Sequence, residues 1–139
     1  MQELCFDFRF PASPLGVRYA MRTMMRQLRP SVVDTDRLSA IEIAVTEATN
    51  NVVEHGYVAD DGAHVHLNVT VTRTRVAIEI IDCGAPYPGG TVPPLRQHDL
   101  TGDRMDLPEG GFGWMMIREL TRCLHYERQG DKNHLHLYF

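Results

Sequence analysis

Glu47, Asn51 and His55 stand four residues apart in the run Glu47-Ala-Thr-Asn-Asn51-Val-Val-Glu-His55-Gly-Tyr. The surrounding residues predict a helix from about Asp34 to His55. Residues four apart on a helix share a face, so a carboxylate, an amide oxygen and an imidazole line one stripe. An acid able to align or accept a proton, beside a neutral oxygen donor for a hard cation, suits a magnesium-nucleotide site. A solvated polar stripe would have the same composition, so the stripe gains weight only from two motifs further along the chain.

The first of these is Ile78-Glu-Ile-Ile-Asp82-Cys-Gly84. Val76 to Ile81 is rich in β-branched residues and predicts a strand. An acid at the strand's end points a carboxylate into a cleft, and a glycine two places on leaves room for a ligand. The second is Gly110-Gly111-Phe112-Gly113, running into Trp-Met-Met-Ile117-Arg-Glu-Leu120. A glycine-rich turn entering a helix offers backbone N–H groups to phosphate.

The order E-x-x-x-N-x-x-x-H, D-x-G, G-x-G-x-x-x-I closely resembles the GHKL ATPases, the Bergerat-fold nucleotide binders. Within them the chain looks most like the small anti-sigma factor serine/threonine kinases of the RsbW type. Thr46-Glu-Ala-Thr-Asn-Asn-Val-Val-Glu-His-Gly-Tyr57 is similar to that family's N-box, and Leu107-Pro-Glu-Gly-Gly-Phe-Gly-Trp-Met-Met-Ile-Arg-Glu-Leu120 to its second glycine box. The likeness runs from about Phe6 to Phe139.

The resemblance implies a role for each matching residue. Glu47 matches the catalytic acid that orients or deprotonates the attacking hydroxyl or water. Asn51 matches the ligand of Mg2+, its amide oxygen joining phosphate oxygens around the ion. His55 matches an N-box position near the triphosphate, where it either bonds phosphate or caps the helix. Asp82 matches the acid that accepts a hydrogen bond from the adenine amino group, and Gly84 gives the base room. Gly111 and Gly113, with the amides near Phe112, would bind the phosphates. Asn50 points about 100° away around the helix and is left a structural part. The chain also departs from the pattern. Pro86 stands where relatives often carry a second glycine, and Glu109 where some carry a basic residue. A cation over the phosphates must then come from elsewhere, with Arg96, His98 and Arg104 as candidates.

The function implied is a partner-switching kinase. It binds Mg-ATP and phosphorylates a Ser or Thr of a small anti-anti-sigma factor, a STAS-domain protein. In its other state it holds a sigma factor. The family commonly works as a homodimer, whose dimer and sigma-binding surface here runs roughly from Phe6 to Leu28. The methionines of that stretch would suit an adaptable interface or plain core. Three alternatives keep the same boxes: a related STAS-protein kinase that binds no sigma factor, a nucleotide-dependent binding module without kinase activity, and a histidine-kinase-like catalytic fragment. The His55-Gly-Tyr57 ending of the N-box argues against the last.

The elements that must hold these boxes are legible as a pattern. Leu4 to Phe10 alternates as a strand, ended by Pro11 and Pro14. In Leu15 to Leu28, Val17, Ala20, Met21, Met24, Met25 and Leu28 fall at helical spacing. Asp34 or Asp36 could cap the next helix, whose seam is Ile41, Val45, Ala48 and Val52 and whose end is Gly56. His64 to Val71 and Arg75 to Ile81 read as strands around a turn at Thr72 to Thr74. Arg122 to Arg128 and His134 to Phe139 read as a hairpin. The fold class expected is an α/β two-layer sandwich, with about five mixed, mostly antiparallel strands and three helices on one face. This is the Bergerat arrangement that the resemblance implies. A single domain is expected over residues 1–139. Between the boxes, residues 85–109 are rich in proline and glycine. So long a structureless connection suits an ATP lid that orders around nucleotide.

Composition bounds the rest. A chain of 139 residues with 43% hydrophobic content can bury a core without staples. The net charge of −4, with scattered Lys and Arg, argues against a nucleic-acid partner. No apolar run approaches the roughly 20 residues of a membrane helix, and Met1 to Asp7 has no signal-peptide character. Three spaced cysteines fit reduced thiols in a cytoplasm. His64-x-His66 and His134-x-His136 each put two imidazoles on one strand face, and two such pairs could make a zinc site. No acid or cysteine completes either pair locally, and solvated strand faces are the plainer reading.

Overall fold

The computed structural model describes residues 3–56, 62–90 and 111–139. In chain order the elements are β1 (Leu4–Pro11), α1 (Pro14–Leu28), α2 (Thr35–Gly56), β2 (His64–Val71), β3 (Val76–Asp82), a short 3-10 turn (Pro88–Gly90), α3 (Gly111–Leu120), β4 (Cys123–Gln129) and β5 (Lys132–Tyr138). The strands form one sheet in the order β1-β2-β3-β5-β4. All four pairings are antiparallel, so the sheet is not mixed but wholly antiparallel. The helices pack against one face, giving the expected α/β sandwich.

Alternation along the strands makes that face apolar. Val65, Leu67, Val69 and Val71 of β2, Val76, Ile78 and Ile80 of β3, and Leu135 and Leu137 of β5 are all buried. They meet Val17, Ala20, Met21, Met24, Met25 and Leu28 of α1 and Ile41, Ala44, Val45, Ala48, Val52 and Val53 of α2 in one cluster. Every apolar position picked out by spacing in α1 is therefore core. The three methionines are part of it. What α1 leaves exposed is Pro14, Leu15, Arg18, Tyr19, Arg22, Arg26 and Gln27.

Helix starts obey the local chemistry. Ser13 caps α1, its hydroxyl accepting from Gly16 N–H at 3.0 Å, with Pro14 in the first turn, where no N–H is needed. Asp34 caps α2, its Oδ1 accepting from the N–H of Asp36 at 3.0 Å and of Arg37 at 3.4 Å. Gly16 is a packing requirement: a Cβ there would sit 1.9 Å from the Pro11 carbonyl oxygen. The absent side chain lets α1 turn back closely onto β1.

Candidate functional site

The strand alternation that buries Val76, Ile78 and Ile80 carries on to Asp82, which is 4% exposed at the end of β3. The register sets Asp82 opposite Asn133 of β5, and Asn133 opposite Arg128 of β4. A polar row thus crosses three strands at the end of an apolar sheet. Asp82 Oδ1 accepts from Gly84 N–H at 2.8 Å and from Asn133 Nδ2 at 3.0 Å. Asn133 Nδ2 also donates to the carbonyl of Ala85 at 3.0 Å, and Arg128 Nη1 donates to the carbonyl of Gly84 at 2.8 Å and to Asn133 Oδ1 at 3.0 Å. The turn after β3 is therefore tied down by two side chains from the β4–β5 hairpin. Burial pushes the Asp82 carboxyl above its ordinary range, against the opposing pull of Asn133, the Gly84 N–H and the Arg128 charge.

An aromatic bridge lies beside this row. Tyr87 packs edge-on against Trp114 of α3 at 5.5 Å and against Tyr126 of β4 at 4.7 Å between ring centroids. Tyr126 Oη donates to Asn133 Oδ1 and accepts from Tyr87 N–H at 3.2 Å. Burial, with Asp82 and Tyr126 nearby, pushes the Tyr87 phenol up, so it stays neutral.

The second half of the site is where α3 meets α2. Glu47 is half-buried and Asn51 is buried, on one stripe of α2 as the spacing required. A Cβ on Gly113 would lie 3.1 Å from Glu47 Oε2, 3.4 Å from Asn51 Nδ2 and 3.7 Å from Asn51 Oδ1. The first turn of α3 therefore rests directly on both side chains, and only glycine leaves that contact open. Among the described residues Asn51 Nδ2 is buried without a hydrogen-bond partner. An orphaned buried amide is costly unless a ligand completes it. Rotating the amide by half a turn would present Oδ1 instead, since the two atoms are distinguished only by their partners. A cation carrying phosphate oxygens, beside the N–H groups that the first turn of a helix leaves without intrahelical partners, fits this cradle.

Gly111, Phe112 and Gly113 were expected in a turn ahead of the helix. They form its first turn instead, because α3 begins at Gly111. His55 is in the last turn of α2, and its side chain, like that of Phe112, lies outside the described residues. Arg96, His98, Arg104 and Glu109, and the segment 91–110 of the expected lid, also lie outside them. The sequence reading missed Asn133, Tyr126 and Arg128. Their one signal was weak: two polar residues flanking the turn of a hairpin whose inner face is otherwise apolar.

Residues 10–139 match the histidine kinase-like ATPase domain family. The chain is 33% identical over 108 residues to the serine/threonine-protein kinase BtrW of Bordetella bronchiseptica, covering 73% of each protein. It is 29% identical over 115 residues to an anti-sigma F factor of Clostridium botulinum, covering 83% of this chain and 76% of the relative. A solved structure of the RsbU and RsbW domains of Rv1364c from Mycobacterium tuberculosis superimposes with a TM-score of 0.68 at 16% identity, covering 97% of this chain and 32% of that longer one. At that identity the superposition speaks for the fold alone. No helix among the described residues is long and apolar enough to cross a membrane. The chain belongs to the histidine kinase-like ATPase family, as a GHKL-type, ATP-using protein serine/threonine kinase akin to the anti-sigma factor kinases.

Proposed function

We propose that this kinase transfers the γ-phosphate of Mg-ATP to a Ser or Thr of an anti-anti-sigma, STAS-domain partner, and in its other state holds a sigma factor away from RNA polymerase in the cytoplasm. The juxtaposition of Glu47, Asn51 and Gly113 carries this reading. It gathers an acid, an amide able to ligate a cation and a helix N-terminus at one point, an arrangement suited to phosphoryl transfer. Asn51 would hold Mg2+, which neutralises charge on the phosphates. Glu47 would orient the attacking hydroxyl and take its proton. Asp82 would receive the adenine amino group, with Gly84 beneath the base. Gly111 and Gly113, with the Phe112 amide, would meet the phosphates, His55 would stand near them, and residues 85–109 would close over them as a lid. Residues 1–139 would act as one kinase domain. A phosphate placed on the partner at the interface adds charge and so releases it.

A homodimer through the β1–α1 side is part of the proposal. Phe6 and Phe8 are only partly buried on the edge strand, and Tyr19, 56% exposed, packs edge-on against Phe8. Partly bare aromatics on a sheet edge invite a second chain.

Incubation with radiolabelled Mg-ATP and a candidate STAS protein tests the function. Label appearing on the partner supports it. Nucleotide binding without label on any STAS candidate would favour a binding module instead. One substitution probes the geometry finely. Gly113→Ala should change the melting temperature little, because alanine's better helix propensity is offset by a Cβ standing 3.1 Å from Glu47 Oε2. It should nonetheless slow transfer roughly tenfold by displacing the ends of Glu47 and Asn51. Thermal unfolding run beside the transfer assay checks both, and a full-rate variant would mean the cradle is not the reaction centre.

A further inference from the structure

The face of the sheet away from the helices carries a cluster that phosphoryl transfer does not use. One strand-to-strand row sets Asn68 of β2, Glu79 of β3, His136 of β5 and His125 of β4 side by side. His134 lies two residues before His136 on the same face. Glu79 Oε2 lies 3.2 Å from His134 Nδ1 and 3.4 Å from His136 Nε2. The other oxygen, Oε1, accepts from Asn68 Nδ2 at 2.9 Å. One donor atom from each of Glu79, His134 and His136 lies within 4.8 Å of the others.

We infer that Glu79, His134 and His136 form a binding site for a divalent transition-metal ion of the zinc class, separate from the nucleotide site. Three observations support this. The donor set is two imidazoles and one carboxylate, which such ions favour and which magnesium does not. The spacing is nearly right. Ligands about 2.1 Å from a tetrahedral ion stand about 3.4 Å apart, and the two carboxylate-to-imidazole separations, 3.2 and 3.4 Å, are already there. The imidazole-to-imidazole edge lies within 4.8 Å, and ring rotation on adjacent same-face positions of one strand can adjust it. The carboxylate is also held from outside: the Asn68 amide on Oε1 leaves Oε2 aimed between the rings, as an outer-shell partner fixes a metal ligand.

The site is open to solution without being loose. The side chains of Glu79, His134 and His136 are 26%, 14% and 22% exposed. Three protein ligands leave a fourth position for water or an outside donor. The other sequence pair, His64 and His66, does not join them. His66 sits opposite Ile81 and pairs with Asp7 at 3.0 Å, and His64 bonds the Gly62 carbonyl. The acid that completes the His134–His136 pair comes from the neighbouring strand.

Competition for Zn2+ between the tag-free protein and a chromophoric chelator tests the site. The expected result is one ion per chain. His134→Ala and His136→Ala should each weaken binding at least tenfold, and Asn68→Ala by about 10- to 100-fold although it touches no metal. His64→Ala should change nothing. A measurement needing no variant guards against misfolding: Zn2+ should shift the ring resonances of His134 and His136 in the unaltered protein and spare those of His64. Less than one ion bound per chain overturns the proposal. So does binding that survives the double His134→Ala, His136→Ala change but is lost on alkylating the exposed Cys5, Cys83 and Cys123, which would assign the ion to the thiols.

Discussion

Glu47→Gln should leave ATP affinity nearly unchanged and lower phosphate transfer to the partner by about 10²- to 10⁴-fold, the range a positioned general base supplies. The substitution keeps shape and removes only the charge and the ability to take a proton. Glu47 is half-buried, and its Oε2 lies over the first turn of α3, close to the Asn51 amide. In the proposed function this is where a hydroxyl approaching the γ-phosphate would arrive. Asn51→Ala should act differently, weakening the magnesium-dependent part of binding as well as the rate. Single-turnover transfer at saturating Mg-ATP, with binding measured separately by displacement of a fluorescent nucleotide, separates the two. A Glu47→Gln protein that transfers phosphate at the original rate would remove Glu47 from the mechanism. One that loses nucleotide and rate together would make it a structural residue.

Asp82→Asn should weaken ATP binding by roughly 10- to 100-fold, the worth of a hydrogen bond to a charged group. The same change should leave stability equal or improved. The Asp82 carboxylate is buried, and desolvation disfavours its charge. An asparagine oxygen can still accept from Gly84 N–H and Asn133. The pH dependence has a definite sign. Because the folded value lies above the ordinary 3.8, the native state binds more protons than the unfolded state between those two values. Asp82's contribution to stability therefore rises as pH falls through that window. ATP binding, which uses the stronger ionised acceptor, should weaken over the same window. Melting temperature without nucleotide and ATP affinity, each measured against pH for the wild type and Asp82→Asn, show whether the two slopes oppose. Parallel slopes, or an unchanged affinity in Asp82→Asn, would place adenine recognition elsewhere.

Features governed by local rules could be read directly from the sequence. The α1 stripe from Val17 to Leu28 is buried as its spacing required, and Glu47 and Asn51 share a stripe because helix geometry leaves no choice. Strand parity similarly decided that Asp82 faces inward with Ile78 and Ile80. What could not be read depends on pairing between distant strands. Asn133 reaches Asp82 only because β5 docks beside β3, and Glu79 completes the histidine pair through the same docking. The need for Gly16 is likewise tertiary, because its close neighbour is the end of another element. The glycine box was misjudged for a different reason. Low helix propensity argued for a turn at Gly111 to Gly113, and packing of α3 on α2 overrides it.

The bond between Asp82 and Asn133 spans 51 positions of chain. Closing so long a loop costs entropy before any contact rewards it, which makes such pairings late events in folding. The proposed adenine pocket is therefore absent from any intermediate that has formed β1, β2 and β3 but not yet seated β5. Nucleotide cannot template the early steps of folding; it can only trap the protein once the far strand is in place. Cellular ATP should then slow unfolding of finished molecules while leaving the folding rate almost untouched.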